Sequence, residues 1–223
     1  MVRHAVSIGV DVVSSFGYGR RLRALHAAVG DARALALVAR ARGFTTKVLA
    51  NQDATSAGVR EEIVSAARLL RAGDTFLLAF NGHGLAGDTP YGFQQSWCLH
   101  DEPLVRFGNE GLDAQLALFH AGVRVLVIAN CCHSGIHRGR TRPTPEVRAH
   151  VVRISACAAA DIALDWPDAS RPSPFANSLI KAARECGDRG LLGLFDRIAK
   201  TAGGLPQLEI GDPRSEEFLR DGF

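Results

Sequence analysis

The sequence predicts an α/β protein with a mostly parallel, six-stranded sheet that carries helices on both faces. Strand-like and helix-like segments alternate along the 223 residues, which is typical of a parallel sheet. Two segments, 75–80 and 123–129, are almost continuously apolar, as expected for strands that are buried on both faces. The intervening segments repeat apolar residues every three or four positions, which indicates amphipathic helices.

The predicted strands share short runs of β-branched or large apolar side chains bounded by glycine, asparagine or charged residues. In chain order they are expected at 4–10, 44–50, 75–80, 123–129, 151–155 and 207–210.

The predicted helices share a helical apolar period and a recognisable start or end. In the first, Leu22, Leu25 and Val29 step by three and four, and Gly43 is a plausible stop. Thr55 or Ser56 can cap the second. In chain order the helices are expected at 21–42, from the cap at 55 or 56 to Gly73, and at 111–121, 174–185 and 191–202.

Composition and charge narrow the function classes. The net charge of +3 is too small to argue for nucleic acid or membrane binding. No apolar run approaches the ~20 residues of a membrane-spanning helix, and the first residues lack a signal peptide. Five cysteines, an odd number, fit reduced thiols. We therefore expect a cytoplasmic protein that binds neither nucleic acid nor membranes, and its oligomeric state stays open.

The two apolar strands lead into chemically reactive residues. One runs into Asn81-Gly82-His83-Gly84 and the other into Asn130-Cys131-Cys132-His133-Ser134-Gly135. In open α/β sheets, functional residues collect beyond the carboxyl ends of the strands. A thiol and an imidazole are therefore expected to face one crevice, as a nucleophile and its base require. Backbone N–H groups of Gly84 and Cys132 can form an oxyanion hole.

Other interpretations of these residues stay open at this point. His83 can be a polar residue that ends a strand, and buried cysteines can be small hydrophobes, as is expected of Cys98, Cys157 and Cys186. A metal site made of Cys131, Cys132, His133 and His83 lacks the usual zinc spacing, and the two adjacent cysteines are not a C-x-x-C redox pair. Strand alternation lets only one of the adjacent cysteines face His83.

These motifs resemble those of the metacaspases and their prokaryotic relatives among the caspase-like cysteine peptidases. The resemblance rests first on Gly82-His83-Gly84 and on Cys132-His133-Ser134-Gly135. Further similar segments are Ser7-Ile8-Gly9-Val10, Gly30-Asp31-Ala32, Gly73-Asp74-Thr75-Phe76, Trp97-Cys98-Leu99-His100-Asp101, Ile154-Ser155-Ala156-Cys157 and Pro174-Phe175-Ala176. The resemblance covers residues 4 to 210 and implies a caspase-like three-layer sandwich over the whole chain, 1–223, as a single peptidase domain.

The resemblance also implies roles for individual residues. The family's nucleophile precedes H-S-G, which selects Cys132, with His83 as the base. The family's pocket for P1, the residue before the scissile bond, uses acidic side chains to bind arginine or lysine. Its positions map onto Asp31, onto Asn130 in place of a second acidic residue, and onto Asn81 in place of a serine. Since asparagine offers a dipole and no charge, the implied preference for a basic P1 residue is weaker.

The resemblance further implies a division of the domain and two regulatory features. A large portion, 1–135, and a small portion, 149–223, are joined by a basic loop, 136–148, in which self-cleavage is expected. No cofactor is expected to be required, although calcium can act as an activator. The calcium ligands would be Asp101, Glu102, Glu110 and Asp113, and the cleavage sites would be Arg138, Arg140, Arg142 or Arg148.

The predicted function is therefore a cysteine endopeptidase that acts on proteins or peptides. The alternative is a catalytically weak or inactive caspase-like binding or signalling module, which Asn81 and Asn130 favour. A nucleotide-binding domain is a third interpretation, but Gly17-x-Gly19 lacks the G-x-G-x-x-G spacing.

Overall fold

The computed structural model describes residues 1–14, 18, 21–90, 92–136, 144–161, 163, 171–185, 190–211 and 215–220. Gly17, Gly19, Cys186 and three of the predicted cleavage sites, Arg138, Arg140 and Arg142, lie outside these residues.

The strands form one large and one small sheet. In chain order they are β1 Arg3–Gly9, β2 Thr45–Ala50, β3 Thr75–Asn81, β4 Gly84–Thr89, β5 Gly92–Cys98, β6 Pro103–Val105, β7 Arg124–Asn130, β8 His150–Ser155 and β9 Gln207–Ile210. The large sheet has the order β2-β1-β3-β7-β8-β9, and only β9 pairs antiparallel. This confirms the predicted mostly parallel, six-stranded sheet.

The helices flank the large sheet. They are α1 Ala28–Ala41, α2 Ser56–Leu69, α3 Leu112–Leu116, α4 Pro174–Glu185, α5 Gly190–Thr201 and α6 Glu216–Arg220. The predicted cap of α2 is present, since the Thr55 side chain accepts a hydrogen bond from the N–H of Gly58. None of the described helices is both long and apolar enough to cross a bilayer.

Two apolar layers cover the faces of the sheet, as alternation along the strands dictates. From β3, Phe76, Leu78 and Phe80 enter the layer under α2, α3 and the small sheet. Leu77 and Ala79 enter the opposite layer, under α1, α4 and α5. At about 1.5–3 kcal/mol for each large side chain removed from water, this double burial stabilises the edge at which the site lies.

The first predicted helix is wrong at its start. The prediction was 21–42, whereas α1 begins at Ala28. The segment before it is held by other parts of the chain, since the N–H of Leu25 donates to the carbonyl of Asp11 over 2.9 Å. The Asp11 carboxylate in turn accepts from the N–H of Val29, in the first turn of α1. Tertiary hydrogen bonds outweigh the apolar periodicity here.

The region between β3 and α3 also differs from prediction. No strand or helix is predicted there, but it forms the antiparallel sheet β4-β5-β6. Trp97 of β5 stacks on Phe80 with ring centroids 4.8 Å apart, so the small sheet closes one apolar layer. α3 is also shorter than the predicted 111–121, because turns replace helix after Leu116.

Candidate active site

Strands β3 and β7 end side by side at one edge of the large sheet. Their last register pair joins Asn81 to Asn130, and the N–H of Gly82 donates to the carbonyl of Asn130 over 3.3 Å. His83 and Cys132 each follow the end of their strand by two residues. The register thus brings the predicted histidine and the second cysteine to the same edge of the sheet.

The two adjacent cysteines lie in different environments. Cys131 is 1% exposed and belongs to the apolar layer that contains Val127 and Ala129. Burial raises the pKa of its thiol well above the ordinary value, which leaves it protonated and unreactive. Cys132 is partly exposed. The structure therefore resolves the ambiguity that strand alternation leaves in the sequence, because Cys132 is the accessible thiol.

Three backbone groups lie within reach of the Cys132 sulfur. Burial raises the pKa of this thiol, and hydrogen bonds from the backbone of Ala163, Cys132 and Gly84 act in the opposite direction. A side chain at Gly84 would overlap the carbonyl oxygen of Cys132, so only glycine allows this close approach. The N–H groups expected to form an oxyanion hole thus lie next to the thiol.

The ring of His83 is oriented by a backbone carbonyl. Its Nε2 lies 2.6 Å from the carbonyl oxygen of Arg23. A carbonyl only accepts hydrogen bonds, so Nε2 carries the proton and the neutral ring has Nδ1 as its free acceptor. Sequence reasoning identified no third group beside the cysteine and histidine. Any residue type can supply a carbonyl, so no motif could have identified Arg23.

The turn that follows Cys132 is held through its carbonyl groups. The Gln95 side chain on β5 donates to the carbonyls of both His133 and Gly135, the latter over 2.9 Å. The Ser155 hydroxyl at the end of β8 donates to the carbonyl of Ser134 over 2.8 Å. On the other side of the turn, the N–H of Ile136 donates to Gln207 of β9. Three strands therefore fix the backbone around the thiol.

His133 has a structural environment that differs from that of His83. Its backbone is in the left-handed region, with φ of 55°. Its N–H donates to the carbonyl of Asp161 and its ring Nδ1 to the carbonyl of Ala159, each over 3.0 Å. The ring of His133 therefore stabilises the turn through its hydrogen bond to Ala159.

A buried ion-pair network orients Gln95. The Arg106 guanidinium donates to Oε1 of Gln95 over 3.2 Å, so the amide nitrogen of Gln95 faces the turn. Arg106 also pairs with Glu209 at 2.5 Å and with Asp113 at 3.7 Å. Asp113 pairs with Arg153 at 2.5 Å. The network thus supports the thiol-bearing turn from behind.

The three predicted P1-pocket residues lie together in a polar cluster. Asp31, at 1% exposure, and Asn130, at 7%, are buried with Asn81. The Asn130 amide nitrogen lies 3.1 Å from the Asp31 carboxylate and 3.0 Å from the side-chain Oδ1 of Asn81. Ser173 completes the cluster, since its N–H donates to Asp31 and its hydroxyl lies 3.0 Å from Asn130. Sequence reasoning missed Ser173.

The expected calcium ligands do not converge in the structure. Asp113 is committed to Arg153 and Arg106, and Asp101 accepts hydrogen bonds from the N–H groups of Ser56 and Glu102. Among the residues that the structure describes, no three His, Cys, Asp or Glu side chains form a group suited to a metal ion. These residues do not fit a calcium site. Activation by calcium stays a prediction, for which the described residues provide no binding site.

Of the predicted cleavage sites, only Arg148 is described. It is exposed and lies two residues before β8 begins at His150.

Comparisons with known proteins place this fold and site in a family. A family model described as the caspase domain, peptidase C14, matches residues 3–202. The chain therefore belongs to the caspase-domain family of cysteine peptidases, and the predicted resemblance to caspase-like proteins is confirmed. No curated protein matches the sequence.

Solved structures support the same fold. Protein GSU0716 from Geobacter sulfurreducens is 26% identical, with a TM-score of 0.82 and full coverage of both chains. Caspase-1 from Spodoptera frugiperda is 16% identical, with a TM-score of 0.63, and the match covers 92% of this chain and 85% of that one. The caspase-like architecture expected from the sequence is thus confirmed.

Proposed function

We propose that this protein is a cysteine endopeptidase of the metacaspase type, with Cys132 as nucleophile and His83 as base. The observation that carries the proposal is the partly exposed Cys132 thiol, within reach of the backbone N–H of Gly84 and at the same sheet edge as His83. Thiol, base and oxyanion donors are the groups that acyl transfer requires.

The proposed reaction follows from these positions. Nδ1 of His83 takes the thiol proton, and the sulfur attacks the carbonyl carbon of the scissile peptide bond. The N–H groups of Gly84 and Cys132 stabilise the resulting oxyanion. The imidazolium then gives its proton to the leaving amine, which departs and leaves a thioester. Water, deprotonated by the same ring, hydrolyses the thioester and restores the thiol.

The raised pKa of the Cys132 thiol gives the base its role. A thiol that stays protonated near neutral pH needs a base to become a nucleophile. The Arg23 carbonyl presents Nδ1 for this task by holding the proton on Nε2. We therefore infer that proton transfer accompanies substrate binding or attack.

We further propose that the cluster around Asp31 binds the P1 side chain and favours arginine or lysine. A buried carboxylate attracts a guanidinium or ammonium group strongly because little water screens it. The hydrogen bonds that Asp31 now accepts from Asn130 and Ser173 must be shared with or replaced by the substrate.

The test is hydrolysis of a peptide library that varies only at P1. Wild type should cleave after arginine or lysine, and Cys132→Ala should be inactive. Cys131→Ala is the matched control, because it removes a neighbouring thiol on the opposite face and should keep most activity. Activity that depends on Cys131 instead would contradict the assignment of the nucleophile.

The pocket has its own test. Asp31→Ala should lower kcat/KM for basic P1 substrates by about 1.5–3 kcal/mol, the cost of a lost charged hydrogen bond. It should affect uncharged P1 substrates much less. A wild-type preference for aspartate or for an uncharged P1 residue would refute the pocket.

The alternative proposal is a catalytically weak or inactive module. It is supported by Asn130, whose side-chain amide donates a hydrogen bond to the Asp31 carboxylate within the cluster. A folded wild-type protein that cleaves no library member, although iodoacetamide labels Cys132 and so shows that the thiol is accessible, would favour this alternative.

A further inference from the structure

The strand that begins at the proposed oxyanion hole has an open edge. β4, Gly84–Thr89, pairs with β5 from Gly84↔Trp97 to Thr89↔Gly92. Among the described residues, β5 is its only strand partner, and β4 forms the edge of the small sheet. From Ala86 onward this strand is exposed. An open edge presents a row of backbone donors and acceptors to another chain.

The hydrogen bonds of β5 identify which backbone groups line that edge. The N–H of Cys98 donates to the carbonyl of His83 over 2.9 Å, so His83 uses its backbone toward β5. In an antiparallel pair these positions alternate, and the backbone of Gly84, Ala86 and Asp88 therefore points away from β5.

A second hydrogen bond agrees with this assignment. Gln95 is the register partner of Ala86, and its carbonyl accepts from the N–H of Arg106 over 2.7 Å, on the other side of β5. The backbone of Gln95 thus points away from β4, and Ala86 and Gln95 form a pair without mutual hydrogen bonds. The outward N–H of Gly84 is the one next to the Cys132 sulfur, so the open edge starts at the reacting atom.

We propose that the edge of β4 binds the primed side of the substrate, the residues after the scissile bond, as an added parallel strand. The inference rests on the proposed endopeptidase function. The N–H of Ala163, in the segment after β8, also reaches the thiol. Ser173, which contacts the P1 cluster, also follows β8 in the chain. We therefore place the unprimed residues along the segment after β8, which contains Ala163 and Ser173, and the primed residues along β4.

The parallel ladder fixes the register of the substrate. In such a ladder one residue donates to the partner before its counterpart and accepts from the partner after it. With the N–H of Gly84 on the P1 carbonyl, the carbonyl of Gly84 accepts from the P2′ N–H. The N–H of Ala86 then donates to the P2′ carbonyl. The N–H of P3′ points away from β4. Main-chain pairing of this kind binds extended peptides with little demand on their side chains.

The first experiment changes the substrate and leaves the full-length wild-type protein intact. Two internally quenched peptides with the best P1 residue and four primed residues carry one N-methyl group, at P2′ or at P3′. Methylation at P2′ should lower kcat/KM by roughly three- to ten-fold, the value of one net hydrogen bond, and methylation at P3′ should have little effect. Equal effects at both positions, or none at P2′, would overturn the proposal.

The second experiment changes the enzyme. Ala86→Pro removes an N–H that points away from β5, a position at which an edge strand accepts proline. For the long peptide, kcat/KM should fall roughly three- to ten-fold more than for a P1-aminomethylcoumarin amide, which has no primed residues. An unchanged ratio in a variant with the wild-type melting temperature would contradict the inference.

The coumarin amide distinguishes a failure of the proposed endopeptidase function from a failure of the primed-side strand. If neither it nor any peptide is hydrolysed, the proposed function fails and the primed-side strand fails with it. If the coumarin amide is hydrolysed but the P2′ methyl group has no effect, only the primed-side strand is wrong.

Discussion

His83 shows how one backbone atom can determine the chemistry of a side chain. The Arg23 carbonyl binds Nε2 at 2.6 Å and so selects the tautomer in which Nδ1 accepts a proton. The sequence pattern located the histidine through the apolar strand before it, but it assigned residues 21–27 to a helix. In a helix, the carbonyl of Arg23 would bond within its own segment and would not reach His83.

The two histidines beside the site should respond differently to substitution. His83→Ala should lower kcat by about 10²–10⁴-fold, the usual contribution of a general acid–base group. His133→Asn should cost far less, since asparagine tolerates the left-handed backbone found there. Hydrolysis assays and circular dichroism on both variants check this. Comparable losses in two folded variants would mean that the base is misassigned.

At the scale of single residues, the sequence located the site but not its full composition. Cys132, His83, Asp31, Asn81 and Asn130 could be found because motifs or strand ends mark them. Ser173 could not, since 142 residues separate it from Asp31 and no local pattern marks the contact. A side chain that acts only through tertiary hydrogen bonds leaves no periodic or spacing signal in one sequence.

At the scale of elements, β5 links the small sheet to the thiol-bearing turn. Gln95 donates to two carbonyls of that turn, while its neighbour Gln94 donates to the carbonyl of Phe107, outside the turn. Adjacent residues on one strand point to opposite faces. They therefore provide a matched pair of positions, of which only one supports the site.

Replacing each glutamine should separate stability from catalysis. Gln95→Leu and Gln94→Leu should each lower the free energy of unfolding by about 1–3 kcal/mol, the cost of unpaired buried polar groups. Only Gln95→Leu should also lower kcat, because it releases the turn that carries Cys132. Urea denaturation and steady-state kinetics provide the two readouts. A loss of kcat in Gln94→Leu at equal stability would contradict this division.

The elements differ in how far their sequences predict them. β3 and β7 are predicted within two residues, because a short, continuously apolar run is typical of a strand buried on both faces. All three strands of the small sheet, β4, β5 and β6, are missed. β4, Gly84–Thr89, is short, contains glycine and is mostly exposed. Its strand conformation comes from pairing with β5 and not from local propensity.

At the scale of the whole molecule, the buried thiol of Cys131 makes stability depend on alkaline pH. Its pKa is raised well above the ordinary 9.0 when folded. Stability is therefore complete below pH 9 and declines as pH rises toward the folded pKa, because only the unfolded chain releases the proton. The free energy of unfolding should therefore be lower at pH 10 than at pH 8.

Urea denaturation at the two pH values measures this effect. The same pair of measurements on Cys131→Ala isolates the thiol, since every other titrating group is retained. A pH-dependent loss of the same size in Cys131→Ala would show that other groups are responsible.

Self-cleavage between β7 and β8 stays a prediction for the intact chain. Cleavage after Arg148 would leave β8 whole, and six register pairs from Arg124↔His150 to Ala129↔Ser155 would hold the fragments together. Cleavage after Arg138, Arg140 or Arg142 should have the same result. Mass spectrometry and gel filtration after incubation should show two associated fragments in wild type and an intact chain in Cys132→Ala. Cleavage that persists in Cys132→Ala, or an uncut loop in an active enzyme, would refute it.

The contact between Asn130 and Asp31 has an evolutionary consequence. Codons for asparagine and aspartate differ by one base, so a single mutation can replace Asn130 with a second carboxylate 3.1 Å from the first. Two buried carboxylates so close would share a proton when the pocket is empty and both ionise when a guanidinium enters. Lineages could thus pass in one step between a pocket of constant charge and one whose occupancy is linked to proton release. Acidity of the surroundings would then become a selectable property of the enzyme.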